Sequence, residues 1–197
     1  MAYALYVSHP QVEMDPNIPV PQWRLSDRGR ERATGFAQAV LVKGLKRIVS
    51  SDETKARETA VILGRALGIE PEVADGMGEI DRRVPGYVPA EKFEELANLC
   101  FAKPHESAEG WEKAIDAQAR IAKAVDAVLA GHDATAPIAF VGHGGVGTLL
   151  KSHLAHRPIS RAGDQPLGGG NAYMVRLSDR LLLGDWMPFE RFAGYSG

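Results

Sequence analysis

The 197-residue sequence is poor in several things, and each shortage excludes something. It has one cysteine, Cys100, so no disulfide can form within the chain and no metal site can be built from several thiolates. No apolar run approaches the roughly 18 residues that a membrane-spanning helix needs. The opening Met1-Ala2-Tyr3-Ala4-Leu5-Tyr6-Val7 lacks the basic start and the length of a secretory signal, so a cytoplasmic protein is expected. Neither sign of charge dominates. With 23 Lys and Arg against 25 Asp and Glu the formal net charge is −2, which argues against a nucleic-acid-binding face. Internal repeats, low-complexity tracts and heptads are also missing. Hydrophobic residues, at 45%, are plentiful enough for a sizeable core, and the length suits a single domain.

What is present alternates. Ala2–Val7 is a short apolar run that stops at Ser8-His9-Pro10, and it reads as a buried strand. Residues 11–23 carry Pro16, Pro19 and Pro21 and read as loop. Ser26 is placed to cap a helix whose apolar positions Ala33, Phe36, Ala37, Val40 and Leu41 recur at helical spacing. Ile48–Ser51 reads as a second strand and 53–67 as a helix that Gly68 ends. Glu72–Ala74 is a short third strand. Residues 76–89 form a loop, and 90–101 and 106–130 read as helices, with Cys100 in the first as a small buried apolar group. Pro137–Val141 is the clearest buried strand, followed by a glycine-rich turn at 142–147 and a helix over 146–154. Ala172–Leu177 and Leu181–Trp186 read as two late strands.

This order implies a three-layer α/β/α fold, with a mostly parallel central sheet and helices on both faces. Ligands of such sheets bind at the carboxyl ends of the strands. Three polar clusters fall there: Ser8-His9, Ser50-Ser51 and Gly142-His143-Gly144. One histidine at a strand end is usually structural, but two at the ends of two strands can face one crevice. His153 and His156, on the later helix, read as surface or packing residues. The turn Gly142-His143-Gly144-Gly145-Val146-Gly147 suits an anion site, because glycine lets backbone N–H groups at a helix start approach a ligand. It also matches G-x-G-x-x-G, but as a dinucleotide fingerprint the match is weak, since a histidine lies inside it and no strand ending in an acidic residue follows at the required distance.

These segments together resemble the histidine phosphatase (phosphoglycerate mutase-like) superfamily. Val7-Ser8-His9-Pro10 stands where that family has strand-Arg-His-Gly. Leu25-Ser26-Asp27-Arg28-Gly29 matches its Leu-Ser/Thr-x-x-Gly helix start. The segment from Ser50 to Ala60 matches its Ser-Ser-x-x-x-Arg-Ala-x-x-Thr-Ala pattern, and Met77–Asp81 its Leu-x-Glu-x-Asp stretch. Val141-Gly142-His143-Gly144-Gly145 matches its strand-Gly/Ser-His-Gly-Gly segment. Five matches in family order span most of the chain.

The resemblance implies a phosphatase that works through a phosphohistidine, with a phosphorylated small molecule as substrate and no metal or other cofactor. His9 would be the nucleophile, His143 a donor to the phosphoryl oxygens and Glu79 the acid for the leaving group, with Asp81 and Glu53 as fallback acids. Ser8, Lys55 and Gly144 would contact the phosphoryl group. Residues 76–110 would form a lid over the crevice of a single domain spanning 1–197, with Tyr87, Phe93, Phe101 and Trp111 as lining or core.

Two positions depart from the family. Ser8 and Lys55 stand where it has arginines that clamp the phosphoryl group. Lysine keeps the charge but not the two-pronged fork. Loss of one preorganised donor typically costs about 10²–10³ in rate. Arg57, two residues past Lys55, would sit on another helix face, and Arg24, Arg28, Arg82, Arg83 and Arg161 lie in or beside loops from which a replacement could come. The departures keep open a second reading, a catalytically weak relative that binds a phosphorylated or acidic ligand. Mutase activity is less expected than hydrolysis, because the proline-rich loop offers no evident second phosphate site. Substrate identity and oligomeric state are not legible.

Overall fold

The computed structural model describes residues 1–192. Its sheet has six strands in the order β3-β2-β4-β1-β5-β6. These are β1 (Tyr3–Ser8), β2 (Arg47–Ser50), β3 (Glu72–Val73), β4 (Ile138–Gly142), β5 (Asn171–Arg176) and β6 (Met187–Pro188). The pairs β1–β4, β2–β4 and β2–β3 are parallel, whereas β5 runs antiparallel to β1 and β6 antiparallel to β5. β1 therefore sits inside the sheet, and all six of its residues are buried.

Alternation along β1 sorts its side chains into two cores. Tyr3, Leu5 and Val7 pack on one face with Phe36, Ala56, Ala60 and Leu63 from α1 (Asp27–Phe36) and α3 (Thr54–Leu67). Val42 of α2 (Val40–Lys43) joins them. Ala4 and Tyr6 pack on the other face with α4 (Ala90–Ala102), α5 (Ala114–Ala130) and α6 (Gly144–Leu154). Cys100 is fully buried in that second core, and burial pushes its thiol up to about 11. None of the described helices is long and apolar enough to cross a membrane.

Local chemistry accounts for the helix ends. Ser26 caps α1, its Oγ accepting the Gly29 N–H at 3.1 Å. Gly68 closes α3 in the left-handed conformation, φ 69°.

Four expectations are corrected. The apolar run from Ala33 to Leu41 is not one helix: α1 stops at Phe36, and Val40 points into solvent at 84% exposure. Residues 106–113 are not helical, because Glu109 and Gly110 take positive φ (48° and 93°) and α5 starts only at Ala114. Residues 181–186 do not form a strand. Leu183 packs into the first core and Trp186 into the second, Asp185 pairs with Lys151, and β6 is the two residues that follow. Finally, 144–147 is the first turn of α6 rather than a free turn, because a distant carboxylate caps it.

Register delivers the polar strand ends to one edge. Ser8 pairs with Gly142, the His9 N–H donates to Gly142 O at 3.0 Å, and the Ser51 N–H donates to Val141 O at 2.9 Å. His9, Ser51 and His143 thus lie side by side.

Candidate active site

His9 follows directly on β1. Its Nδ1 lies 2.8 Å from Pro10 O. A carbonyl only accepts, so Nδ1 carries the ring proton and Nε2 holds the lone pair. Burial pushes the His9 pKa down to about 3, with the nearby His143 and Lys55 adding to the fall. The ring is neutral near pH 7, and its centroid stands 5.3 Å from that of His143 at 71°.

His143 is fully buried between β4 and α6, and burial likewise lowers its pKa. Its Nε2 is 2.8 Å from Ser51 Oγ and 3.5 Å from Glu53 Oε1. Its Nδ1 is buried without a hydrogen-bond partner among the described residues. Glu53 links these parts. One oxygen accepts the Glu79 N–H at 2.9 Å and the other pairs with Lys55 Nζ. Burial would raise the Glu53 carboxyl, but His143, Lys55 and that N–H outweigh it and hold it at about 2.

Glu79 reaches the amino end of α6. Its carboxylate accepts the N–H groups of Gly145 at 3.0 Å and of Val146 and Ile80 at 2.9 Å each. This is the distant cap that starts α6, and it complements the positive end of the helix dipole. The fit leaves no room for other side chains. A Cβ on Gly145 would stand 2.6 Å from Glu79 Oε1, and one on Gly144 would stand 2.0 Å from Gln165 Nε2.

Sequence reasoning missed what holds Glu79. Arg120, on α5, donates to Gly76 O at 2.8 Å, Gly78 O at 2.9 Å and Glu79 O at 3.1 Å. Its Nε and Nη2 meet the two oxygens of Glu112 at 2.8 and 2.7 Å. On the sequence it is one more charged residue on an amphipathic helix. Its two-pronged geometry is the signal, and that appears only with Glu112 in place.

A cavity of about 220 Å³ opens beside this cluster, and His143, Ser51 and Glu53 lie behind its wall. His9, Glu79 and Gly144 line it, with Arg82, Arg161 and Gln165. Phe93, Phe101 and Trp111 line its apolar side while packing with the second core. Tyr87 instead is partly exposed and sits 5.9 Å from Trp23, ring to ring.

The two positions that depart from the family lie elsewhere. Ser8 is fully buried and does not line the cavity; its Oγ meets Gln165 Oε1 at 2.5 Å and the Asn171 N–H at 3.1 Å. Lys55 is buried too, with Nζ donating to Val20 O at 2.9 Å and paired with Glu53. Ser8 and Lys55 thus lie in the layer behind the cavity wall, as His143 does, and polar neighbours hold their side chains. Arg24 and Arg57 are exposed and neither lines the cavity. Arg28 and Arg83 are exposed and pair with Glu31 and Asp81. Of the arginines proposed as replacements, Arg82 and Arg161 reach the cavity. Arg161 is paired with Glu94 and Asp164, whereas Arg82 lies over the Phe93 ring at 4.6 Å and has no carboxylate partner among the described residues. His153 and His156 are exposed.

The family model of the histidine phosphatase superfamily (branch 1) matches residues 13–180. The chain belongs to the histidine phosphatase superfamily. The matched span begins past Ser8 and His9, so their placement rests on the geometry above. The glucosyl-3-phosphoglycerate phosphatase of Mycobacterium tuberculosis (strain CDC 1551 / Oshkosh) is 29% identical over 185 residues, which cover 85% of this chain and 78% of that protein. The structure of a mycobacterial glucosyl-3-phosphoglycerate phosphatase with inorganic phosphate superposes with a TM-score of 0.78 at 21% identity, covering 96% of this chain and 99% of that one. YhfR of Bacillus stearothermophilus gives 0.75 at 18% identity, over 92% and 94% of the two chains. At these identities the structural likenesses speak for the fold, which is the phosphoglycerate mutase-like α/β architecture of this superfamily.

Proposed function

We propose that this member of the superfamily hydrolyses a phosphomonoester through a phosphohistidine at His9. One observation carries the reading: the Nδ1 contact to Pro10 O leaves the lone pair on Nε2, in a ring that burial keeps neutral at the cavity wall. Nε2 attacks phosphorus as the bond to the ester oxygen breaks. That oxygen leaves with the electron pair and takes a proton from Glu79, which enters this step as the neutral acid rather than as the carboxylate that caps α6. Water then attacks phosphorus, the P–N bond breaks, and the water proton passes to Glu79. The sum is ester plus water to alcohol plus phosphate, and splitting it in two lowers each barrier. His143, whose Nδ1 lacks a partner among the described residues, serves as a donor to the phosphoryl oxygens, and the Gly144 backbone faces the same group at the start of α6.

Residues 76–110 act in this reading as the cover that selects the substrate, since Arg82, Phe93 and Phe101 from that span line the cavity. The substrate class is a phosphorylated small molecule whose remaining part carries an acidic group, for which Arg82 has a guanidinium without a carboxylate partner among the described residues. The mycobacterial relative is named for glucosyl-3-phosphoglycerate, which heads the set of compounds to try. The cytoplasm, which suits a lone buried cysteine, is where we place the activity.

The positions of Ser8 and Lys55 favour a second reading, in which a weakened clamp leaves a protein that binds a phosphorylated ligand and turns it over slowly or not at all. One experiment separates the two. Phosphate release is measured on a panel of phosphomonoesters without added metal, with His9→Ala in parallel. Turnover that His9→Ala abolishes supports the phosphatase. Binding of the same esters with no release by either protein supports the second reading.

A further inference from the structure

Ser8 leaves open which group replaces the arginine that it displaces. We propose that Gln165 does: its side-chain amide is a donor to the phosphoryl group, and Ser8 and Asn171 are the positioning residues that aim it. The inference rests on the phosphatase reading and adds a residue to it.

The orientation of Gln165 follows from a chain of contacts that ends on an unambiguous acceptor. Asn171 Nδ2 lies 3.1 Å from Pro166 O, which can only accept, so that atom is the Asn171 amide nitrogen. The same nitrogen is 3.0 Å from the Gln165 side chain, which must present its oxygen there. Ser8 Oγ meets that oxygen at 2.5 Å. Ser8 is in turn fixed by the Asn171 N–H, which donates to its Oγ at 3.1 Å. With Oε1 facing Ser8 and Asn171, Nε2 must face the other way.

That direction is the amino end of α6. Nε2 stands 2.0 Å from where a Cβ of residue 144 would be, so it lies over Gly144. Gln165 lines the cavity together with His9 and Gly144. The second and third N–H groups of α6, on Gly145 and Val146, are taken by Glu79, whereas Nε2 has no partner among the described residues. A neutral amide with two N–H bonds, fixed at its oxygen by two contacts, is a preorganised donor where negative charge must be held. It also gives Ser8 a purpose. A serine cannot span the distance an arginine spans, but its hydroxyl can hold a longer side chain that does.

The test compares wild type with Gln165→Met, Ser8→Ala and the double variant. Turnover of the best ester is measured, together with affinity for orthovanadate, a mimic of the five-coordinate phosphoryl group, and the thermal midpoint. Gln165→Met is expected to lower kcat about 10²-fold, weaken orthovanadate binding and leave the midpoint unchanged. Ser8→Ala is expected to lower kcat less, and to cost nothing further in the Gln165→Met background, because its effect passes through Gln165. Wild-type kcat and orthovanadate affinity in Gln165→Met would overturn the proposal. So would a Ser8→Ala loss of equal size in both backgrounds, which would mark a purely structural role. A wild-type chain that binds orthovanadate without turnover would sink the phosphatase reading alone, and the orthovanadate comparison would still decide Gln165.

Discussion

At the scale of single residues, the nucleophile is set by its surroundings rather than by its identity. A histidine in water titrates near pH 6.5 and would lose much of its nucleophilic form in mild acid. Burial, His143 and Lys55 bring His9 to about 3, so it keeps its lone pair well below neutrality. Its ring signals in an NMR titration are expected to stay fixed from about pH 8 to about pH 5. A midpoint between about 6 and 7 would show that water reaches the ring. The same shift has a sign for stability. Unfolded, the residue binds a proton below about pH 6.5; folded, it refuses one until about 3. Its contribution is whole above about pH 6.5 and falls as pH drops towards 3, because only the unfolded state gains the proton. Urea unfolding of wild type and His9→Gln should therefore diverge in pH slope across that window and run parallel above it.

At the scale of elements, the site hangs on two loops and one helix start. Arg120 gathers three carbonyls of the 76–79 loop and both oxygens of Glu112, fixing the carboxylate that caps α6. Arg120→Met is expected to cost about 2 kcal/mol, the scale of losing charged hydrogen bonds. It should also lower kcat more than it changes KM, because Glu79 loses its placement while the cavity wall remains. Arg120→Lys should restore part of the stability and little of kcat. Equal kcat in all three proteins would detach the loop from catalysis.

This scale also shows what a sequence can disclose. β1, β2 and β4 are legible because strands buried on both faces read as apolar runs, and the polar residues at their ends are legible as a group for the same reason. The start of α5 is not. Glu106–Lys113 has helical composition, and only two residues with positive φ inside it prevent the helix. Gln165 is invisible too. It lies in a stretch of no periodicity, and its meaning depends on Ser8, Asn171 and Pro166 O meeting around it. Lys55 reads as a phosphate contact from its place in a motif, but the Val20 carbonyl that occupies it comes from a loop that composition does not shape.

At the scale of the whole molecule, one sheet separates two cores. Leu63 and Ile121 are fully buried on opposite faces. Each cut to alanine is expected to cost about 2–5 kcal/mol. With the sheet between them, the double variant should equal the sum of the singles to within about 0.5 kcal/mol. Urea midpoints of the three variants check this, and a shortfall above about 1 kcal/mol would mean that the strands transmit strain from face to face.

The strand order has a consequence during biosynthesis. β1 leaves the ribosome before the other strands of this sheet, yet both of its partners, β4 and β5, follow it by about 130 residues or more. At about 5–20 residues per second, β1 waits on the order of ten seconds for β4. Through that interval an apolar segment with two open edges is offered to any neighbour, the condition that invites aggregation and chaperone capture. Translation that stops before residue 138 would yield no weakened enzyme. It would release a sticky fragment with its nucleophile at the end of a strand that has nothing to pair with.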